Sequence, residues 1–136
     1  GGFNFKFVKD LPDVAHMMDF NHWYNPRNPK AIAARKAVEA KGGQFSFEVY
    51  CGYNAVRLYA DALERAATAD KEKVITALAA STWSDHYMPY GPTKFVNGQN
   101  EGGRAVLLQA SKTDIDVIWP DEFASAKAVF PRPKLG

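Results

Sequence analysis

Three histidines and one cysteine are the residues of this 136-residue chain best suited to metal binding or nucleophilic catalysis. No pair among His16, His22 and His86 has the compact spacing with carboxylates or cysteine that zinc sites use. Cys51 lies between a tyrosine and a glycine, which favours a small buried packing residue over a nucleophile. We therefore predict no metal site and no cofactor. A small hydrolase using Cys51 and His86 is an alternative with no positive support.

Other patterns that mark catalytic or ion-binding sites are incomplete or missing. Asn97, Gln99 and Glu101 alternate like part of a calcium loop, but the fuller acidic pattern is missing. The dipeptide Asn97-Gly98 favours a plain tight turn instead. The sequence contains no glycine-rich phosphate loop, serine nucleophile elbow or paired-carboxylate motif. We expect a protein without catalytic activity.

Composition indicates one globular domain, or one piece of a larger protein, with 46% hydrophobic and 13% aromatic residues. A net charge of +2, without a run of basic residues, argues against nucleic-acid binding. The single cysteine excludes an intramolecular disulfide. The sequence has no apolar run of membrane-spanning length and no signal peptide, although such a signal could precede Gly1.

Hydrophobic periodicity predicts three helices. The longest covers residues 53–66, and its predicted buried face comprises Ala55, Val56, Tyr59, Ala62, Leu63 and Ala66. Spacing on its opposite face predicts weak ion pairs of Asp61 with Arg57 and with Arg65. Asn28 is a predicted N-cap for a helix that ends before Gly42, and Asp70 is a predicted N-cap for a third helix.

Alternating side chains predict the extended segments. Phe3, Phe5 and Phe7 predict an extended start, residues 14–20 an interior strand, and residues 44–50 a short extended piece before the long helix. A strand at residues 91–95 and a partner strand at residues 105–110 form a predicted hairpin around the Asn97-Gly98 turn, and residues 114–119 form the last strand.

The ordered set of these segments resembles a known family. The segments that carry the resemblance are residues 53–66, residues 74–80, the Gly-Pro-Thr-Lys-Phe strand at 91–95 with its Asn-Gly turn, and the closing residues 118–133. Together they are similar to the carboxy-terminal part of the type I periplasmic binding proteins of ABC transporters, in the branch that binds leucine, isoleucine and valine. The resemblance covers nearly the whole chain.

The resemblance implies a partial type I periplasmic-binding-protein fold of the α/β class: a parallel sheet with flanking helices and a β-hairpin, taken from a two-lobed protein. Residues 1–20 would belong to the second lobe, residues 24–105 to the first, and residues 111–136 to the second lobe and tail. The chain would cross between lobes near residues 21–23 and residues 105–110. Family members are much longer, so we expect a fragment whose unpaired strand edges favour a dimer or a swapped assembly.

The same resemblance implies which residues face the solute. Phe3 lies in one segment at the cleft, and Glu48 and Tyr50 lie in the other. Glu48 stands where the family often places an aromatic ring, so a carboxylate here would meet a ligand amine or cation. Asn21, His22 and Trp23 are hinge candidates at the crossing.

The function that the resemblance implies is solute binding for an ABC importer in the periplasm, without catalysis and with a membrane permease as partner. The solute would be a branched-chain amino acid, an amide or an aromatic acid. A sensory ligand-binding module of the same fold is the alternative that the resemblance leaves open.

Overall fold

Helix α3 is the longest element of the computed structural model, which describes residues 3–134. The helices are α1 (Phe5–Asp10), α2 (Pro29–Glu39), α3 (Phe47–Ala66) and α4 (Lys71–Ala79), and a 3₁₀ turn covers Pro12–Val14. The strands are β1 (Met18–Asn21), β2 (Thr82–Trp83), β3 (Thr93–Val96), β4 (Gln99–Asn100), β5 (Val106–Ala110) and β6 (Ile115–Trp119). None of the described helices has the length and apolar character needed to cross a membrane.

The strands form two small antiparallel sheets, ordered β1-β5-β6 and β2-β3-β4. The predicted α/β class is confirmed, since helices and strands are mixed, and the Asn97-Gly98 turn joins β3 to β4 in a hairpin. The partner strand predicted for this hairpin, residues 105–110, is wrong, because β3 pairs with β2 and β4 whereas β5 pairs with β1 and β6. The expected parallel sheet is wrong for residues 3–134, because every strand pair there is antiparallel. Parallel neighbours need a long crossover, whereas β5 turns directly into β6.

Two helix starts match the prediction because a side chain caps each of them. Asn28 accepts a hydrogen bond from the Lys30 backbone N–H at 2.9 Å, immediately before Pro29 opens α2. Asp70 accepts one from the Lys73 N–H at 3.1 Å at the start of α4. These side chains satisfy helix N–H groups that have no partner inside the helix.

Two segments predicted to be extended are helical instead. Phe5 and Phe7 belong to α1, because the Asn4 side chain caps it by accepting the Phe7 N–H at 2.8 Å. Phe47 begins α3, with Ser46 as the N-cap residue, so the extended piece predicted at residues 44–50 is wrong in its second half. At Asn4 the cap hydrogen bond outweighs the short alternating pattern. The Ser46 side chain makes no cap hydrogen bond and donates to the Glu48 carboxylate instead.

The interior strand predicted at residues 14–20 is also wrong. Strand β1 is shorter, starts at Met18 and lies at the edge of its sheet, where it pairs only with β5. Phe20 is 63% exposed, because the outer face of this edge strand packs against little else. An edge strand leaves one row of backbone groups unpaired.

The core is an aromatic cluster between α3 and the inner face of the β1-β5-β6 sheet. Its large buried side chains are Trp23, Tyr24, Phe45, Tyr50 and Tyr87, packed with Val106, Leu108 and Val117. Tyr50, Asn54 and Ala62 supply the buried side of α3 at multiples of four residues. The predicted buried face is therefore largely wrong: Ala62 is buried, but Val56 is 69% and Tyr59 50% exposed.

One of the two predicted ion pairs on α3 forms, with Arg65 Nε at 2.9 Å from the Asp61 carboxylate. Arg57 pairs with Asp85 instead, and Lys30 reaches the same carboxylate at 2.6 Å. These hydrogen bonds from Lys30 and Arg57 lower the pKa of Asp85. Asp85 thus joins α2, α3 and the loop before β3, although an exposed ion pair adds little stability.

Replacing Asp70 with alanine should lower the free energy of unfolding by about 1 kcal/mol, because the Lys73 N–H loses its cap. Urea denaturation followed by circular dichroism measures the change. Asp70→Asn retains an acceptor oxygen and serves as the control, with a loss well below that of Asp70→Ala. Equal losses in both variants would contradict the capping role.

Candidate functional site

A cavity of about 170 Å³ opens where α1, the end of β1 and the start of α3 meet. We call it the crossing cavity, and its lining residues are Phe3, Asn4, Phe5, Asn21, His22, Trp23, Ser46, Phe47 and Glu48. The structure brings together five of the six residues selected from the sequence, namely Phe3, Asn21, His22, Trp23 and Glu48. They come from three segments that are far apart along the chain.

Glu48 supplies the only carboxylate among these lining residues. It lies in the first turn of α3, where the helix dipole favours a negative charge. The Ser46 hydroxyl donates to Glu48 Oε2 at 2.6 Å, and this hydrogen bond lowers the pKa of Glu48, with a smaller contribution from a backbone N–H. No lysine, arginine or histidine in the described part of the chain forms an ion pair with Glu48. The exposed Glu48 carboxylate therefore lines the cavity without an ion-pair partner among residues 3–134.

Tyr50 lies behind the cavity wall and does not line it. Its side chain is fully buried, and its hydroxyl donates to the His22 carbonyl oxygen at 3.3 Å. Its ring meets Trp23 and Phe47 edge to face, at 6.2 and 6.0 Å between centroids. Burial raises the pKa of Tyr50 well above its usual value. Tyr50 therefore positions the wall that His22 and Trp23 form.

The crossing residues, Asn21, His22 and Trp23, start at the last residue of β1 and are held in three different ways. Asn21 accepts the His22 backbone N–H at 2.8 Å and donates to Asp19 at 3.3 Å. Trp23 is only 3% exposed and packs on Phe5, with 5.3 Å between the ring centroids. His22 is exposed, and its ring lies 6.1 Å from that of Phe47. The His22 imidazole is thus an exposed polar group of this wall.

The sequence reasoning missed four lining residues: Asn4, Phe5, Ser46 and Phe47. Asn4 and Ser46 are residue types that favour the N-cap position, and each precedes an aromatic residue that opens a helix. Reading both as caps would have placed two helix starts next to the predicted cleft residues. These two N-cap residue types are visible in the sequence, but the alternating phenylalanines beside them predicted extended segments instead.

Cys51 and His86 line another cavity of about 170 Å³, beside α3. His86 Nδ1 accepts the Met88 N–H at 3.2 Å, so Nε2 carries the proton and donates to the Gly91 carbonyl at 2.9 Å. Burial raises the pKa of Cys51 to about 11. Both imidazole nitrogens are occupied and the thiol is not activated, so this pair lacks the geometry of a catalytic dyad.

The crossing cavity can bind one end of a small molecule. It offers a carboxylate, an imidazole, side-chain amides and aromatic rings. Its volume of about 170 Å³ is below the range of roughly 300–1,000 Å³ typical of complete small-molecule sites, so it accommodates a head group. No group of three or more metal-ligating side chains occurs within residues 3–134.

Comparison with known protein families identifies the family of this chain. A family model described as periplasmic binding protein matches residues 10–114, which is well over half of the chain. The chain belongs to this family. The match includes the crossing residues and Glu48, and it excludes Phe3. A search of curated proteins returned no match.

Family membership has three general consequences. Periplasmic binding proteins act as substrate-binding proteins of ABC transporters. They are generally non-catalytic. Their location is periplasmic or extracellular. A binding role for the crossing cavity is consistent with all three.

Removing the Ser46 hydroxyl should raise the pKa of Glu48 toward its ordinary value of 4.5, because the carboxylate loses its strongest stabilising hydrogen bond. A pH titration of the Glu48 side-chain carboxyl carbon by NMR measures this in Ser46→Ala. Glu48 has a lowered pKa when folded, so its contribution to stability is present above the unfolded value and is lost as pH falls through the folded value. Ser125→Ala, which removes a remote hydroxyl, should leave the Glu48 titration unchanged. An unchanged pKa in Ser46→Ala would contradict the assigned cause.

Proposed function

We propose that this periplasmic binding protein is a solute-binding component of an ABC importer and that the crossing cavity holds part of its solute. The observation that carries the proposal is the convergence of Phe3, residues 21–23 and Glu48 on one cavity. Membership of the family supports a binding role, and the membrane permease of the transporter is the proposed protein partner. The chain binds its solute in the periplasm.

Glu48 favours some solutes over others. Its carboxylate has no cationic partner among the described residues, so a ligand ammonium or amide N–H placed against it forms a charge-assisted hydrogen bond. The carboxylate of an aromatic acid would meet repulsion at the same place. Within the proposed range of branched-chain amino acids, amides and aromatic acids, the first two classes therefore fit better.

The pairing of β1 with β5 supports the proposed lobe boundaries. Asn21 is the register partner of Val106, so the two proposed crossings, at residues 21–23 and 105–110, lie side by side. Residues 1–20 and 111–136 then form parts of the second lobe, and residues 24–105 form part of the first. A binding cavity beside paired crossing strands suits a protein that closes around its solute.

NMR titration of the ¹⁵N-labelled chain tests the solute site with L-leucine, propionamide and benzoate as probes. L-Leucine and propionamide should shift the amide signals of residues 21–23 and 46–48, and benzoate should shift them least. Glu48→Gln should weaken L-leucine binding by about fivefold or more, because the ammonium loses a charged acceptor. Glu101→Gln removes an exposed carboxylate outside the cavity and should bind like the wild type.

Two results would count against the solute site. The first is that none of the three probes shifts these amides. The second is that Glu48→Gln binds L-leucine as tightly as the wild type does.

We also infer that two copies of this chain associate through α3. Val49, Gly52, Val56, Tyr59 and Leu63 form a row on α3, the α3 stripe, at alternating three- and four-residue steps. This spacing suits helix-to-helix packing, and four of the five residues are exposed while Leu63 is half-buried. Val56 lies at the centre of the stripe, so the stripe can face its own copy about a two-fold axis.

The total surface supports this association. The chain exposes 8617 Å², whereas a compact monomer of 15.1 kDa exposes about 7,100 Å². The excess of about 1,500 Å² exceeds the roughly 800 Å² that each partner contributes to a standard interface. Unpaired strand edges were the expected contact, and the α3 stripe is an exposed apolar surface outside those edges.

Light scattering after size-exclusion chromatography should give about twice 15.1 kDa for the wild type at micromolar concentration. Val56→Glu should give a monomer, because a charge enters the centre of the stripe. Val129→Glu is the matched control, since Val129 is also exposed but lies outside α3, and it should remain dimeric. A monomeric wild type would refute the association.

A further inference from the structure

A second, larger crevice lies on the outer face of the β1-β5-β6 sheet. Its volume is about 700 Å³, within the roughly 300–1,000 Å³ that small-molecule sites occupy. We call it the rear crevice, and the lining side chains that matter are Phe20, Tyr90, Arg104, Trp119, Glu122 and Phe123. The crossing cavity and the rear crevice share no lining residue.

The rear crevice is on the opposite side of the sheet from the crossing cavity. Phe20 lines the crevice and Asn21 lines the cavity, and these neighbours in β1 point to opposite faces because side chains alternate along a strand. A ligand in the crevice therefore cannot touch Glu48. The two sites are distinct.

The floor of the crevice is apolar. Leu107 of β5 pairs with Phe20 on one side and, next to a register shift, with Trp119 on the other, so the three residues lie in one row across the sheet. Phe20 and Trp119 line the crevice. Phe20 is 63% exposed and Trp119 54% exposed, which is a high exposure for two large rings in one row. A flat apolar group stacked on these rings would remove their surface from water.

Both walls of the crevice are already fixed. On one side Arg27 donates to the Glu122 and Ala124 carbonyl oxygens at 3.1 and 2.8 Å, which holds the turn that carries Phe123. On the other side the Tyr90 ring packs on His86, with 4.7 Å between centroids. A crevice with preformed walls binds a ligand without a large ordering cost.

Two opposite charges stand at the crevice without partners in the described part of the chain. No hydrogen bond or ion pair joins the Arg104 guanidinium or the Glu122 carboxylate to another described residue. They are also not paired with each other, so they are separated by more than 4 Å. A ligand carboxylate can pair with Arg104, and a ligand ammonium can pair with Glu122.

We propose that the rear crevice is a second ligand site, separate from the crossing cavity, for a small zwitterion with a flat apolar body. The rings of Phe20 and Trp119 hold the body, Arg104 binds the carboxylate and Glu122 binds the ammonium. The proposal does not depend on the proposed transport function, because it rests on a different face of the sheet.

Titration of the ¹⁵N-labelled chain with L-phenylalanine tests the site. Saturable shifts are expected at Phe20, Ala105 and the Trp119 indole N–H. Arg104→Gln and Glu122→Gln should each weaken binding by about threefold to fivefold, as expected for one exposed charge pair. Trp119→Ala should weaken it by about tenfold or more, through loss of stacking. Phenylacetate and phenethylamine, which each lack one charge, should bind about threefold to fivefold more weakly than L-phenylalanine.

Two controls separate this site from the crossing cavity and from general charge effects. Glu48→Gln should leave the shifts at Phe20, Ala105 and Trp119 unchanged, and Glu101→Gln should bind like the wild type. The proposal is overturned if L-phenylalanine produces no saturable shift at these three residues. It is equally overturned if Arg104→Gln and Glu122→Gln bind normally, or if either singly charged probe binds as tightly as L-phenylalanine.

Discussion

The buried side chain of Tyr50 is the contact on which the arrangement of this protein depends. Its ring packs among Trp23, Tyr24 and Phe45, and its hydroxyl reaches the backbone of His22. These contacts fix the rotation of α3 about its own axis. As a result Glu48, two residues earlier, is placed at the crossing cavity, and Asn54, four residues later, accepts the Tyr87 N–H at 3.0 Å. A rotation of α3 would separate all of these contacts together.

The β1-β5-β6 sheet has two faces with different roles. Its inner face is covered by the aromatic core, through Val106, Leu108 and Val117. Its outer face carries exposed rings at the end where β1 and β6 flank β5, and there the rear crevice forms. Phe20 and Asn21 are consecutive residues of β1, and they line the rear crevice and the crossing cavity respectively. The sheet therefore separates two cavities of different chemistry. One cavity presents a single carboxylate, and the other presents both signs of charge on an apolar floor.

Helix α3 has apolar residues on both of its sides. One side, with Tyr50 and Ala62, is buried within the chain, and the other side, the α3 stripe, is largely exposed. This explains why hydrophobic periodicity identified the helix correctly but selected the wrong buried side. Periodicity shows that a side is apolar, and only neighbouring elements determine which apolar side they cover.

The sequence by itself determined the elements with local causes. The helix starts at Asn28 and Asp70, the Asn97-Gly98 turn and the long helix all depend on residues close together in the chain. The family relationship depends on the order of segments along the chain, which the sequence also contains. The residues of the candidate site were also selected from the sequence, except for the caps Asn4 and Ser46 and the rings that follow them. Tertiary structure alone decided the antiparallel pairing of β1 with β5, the edge position of β1, the rotation of α3 and the existence of the rear crevice. These features depend on contacts between residues tens of positions apart, such as Phe20 with Leu107 and Tyr50 with His22, and no short-range pattern encodes such contacts.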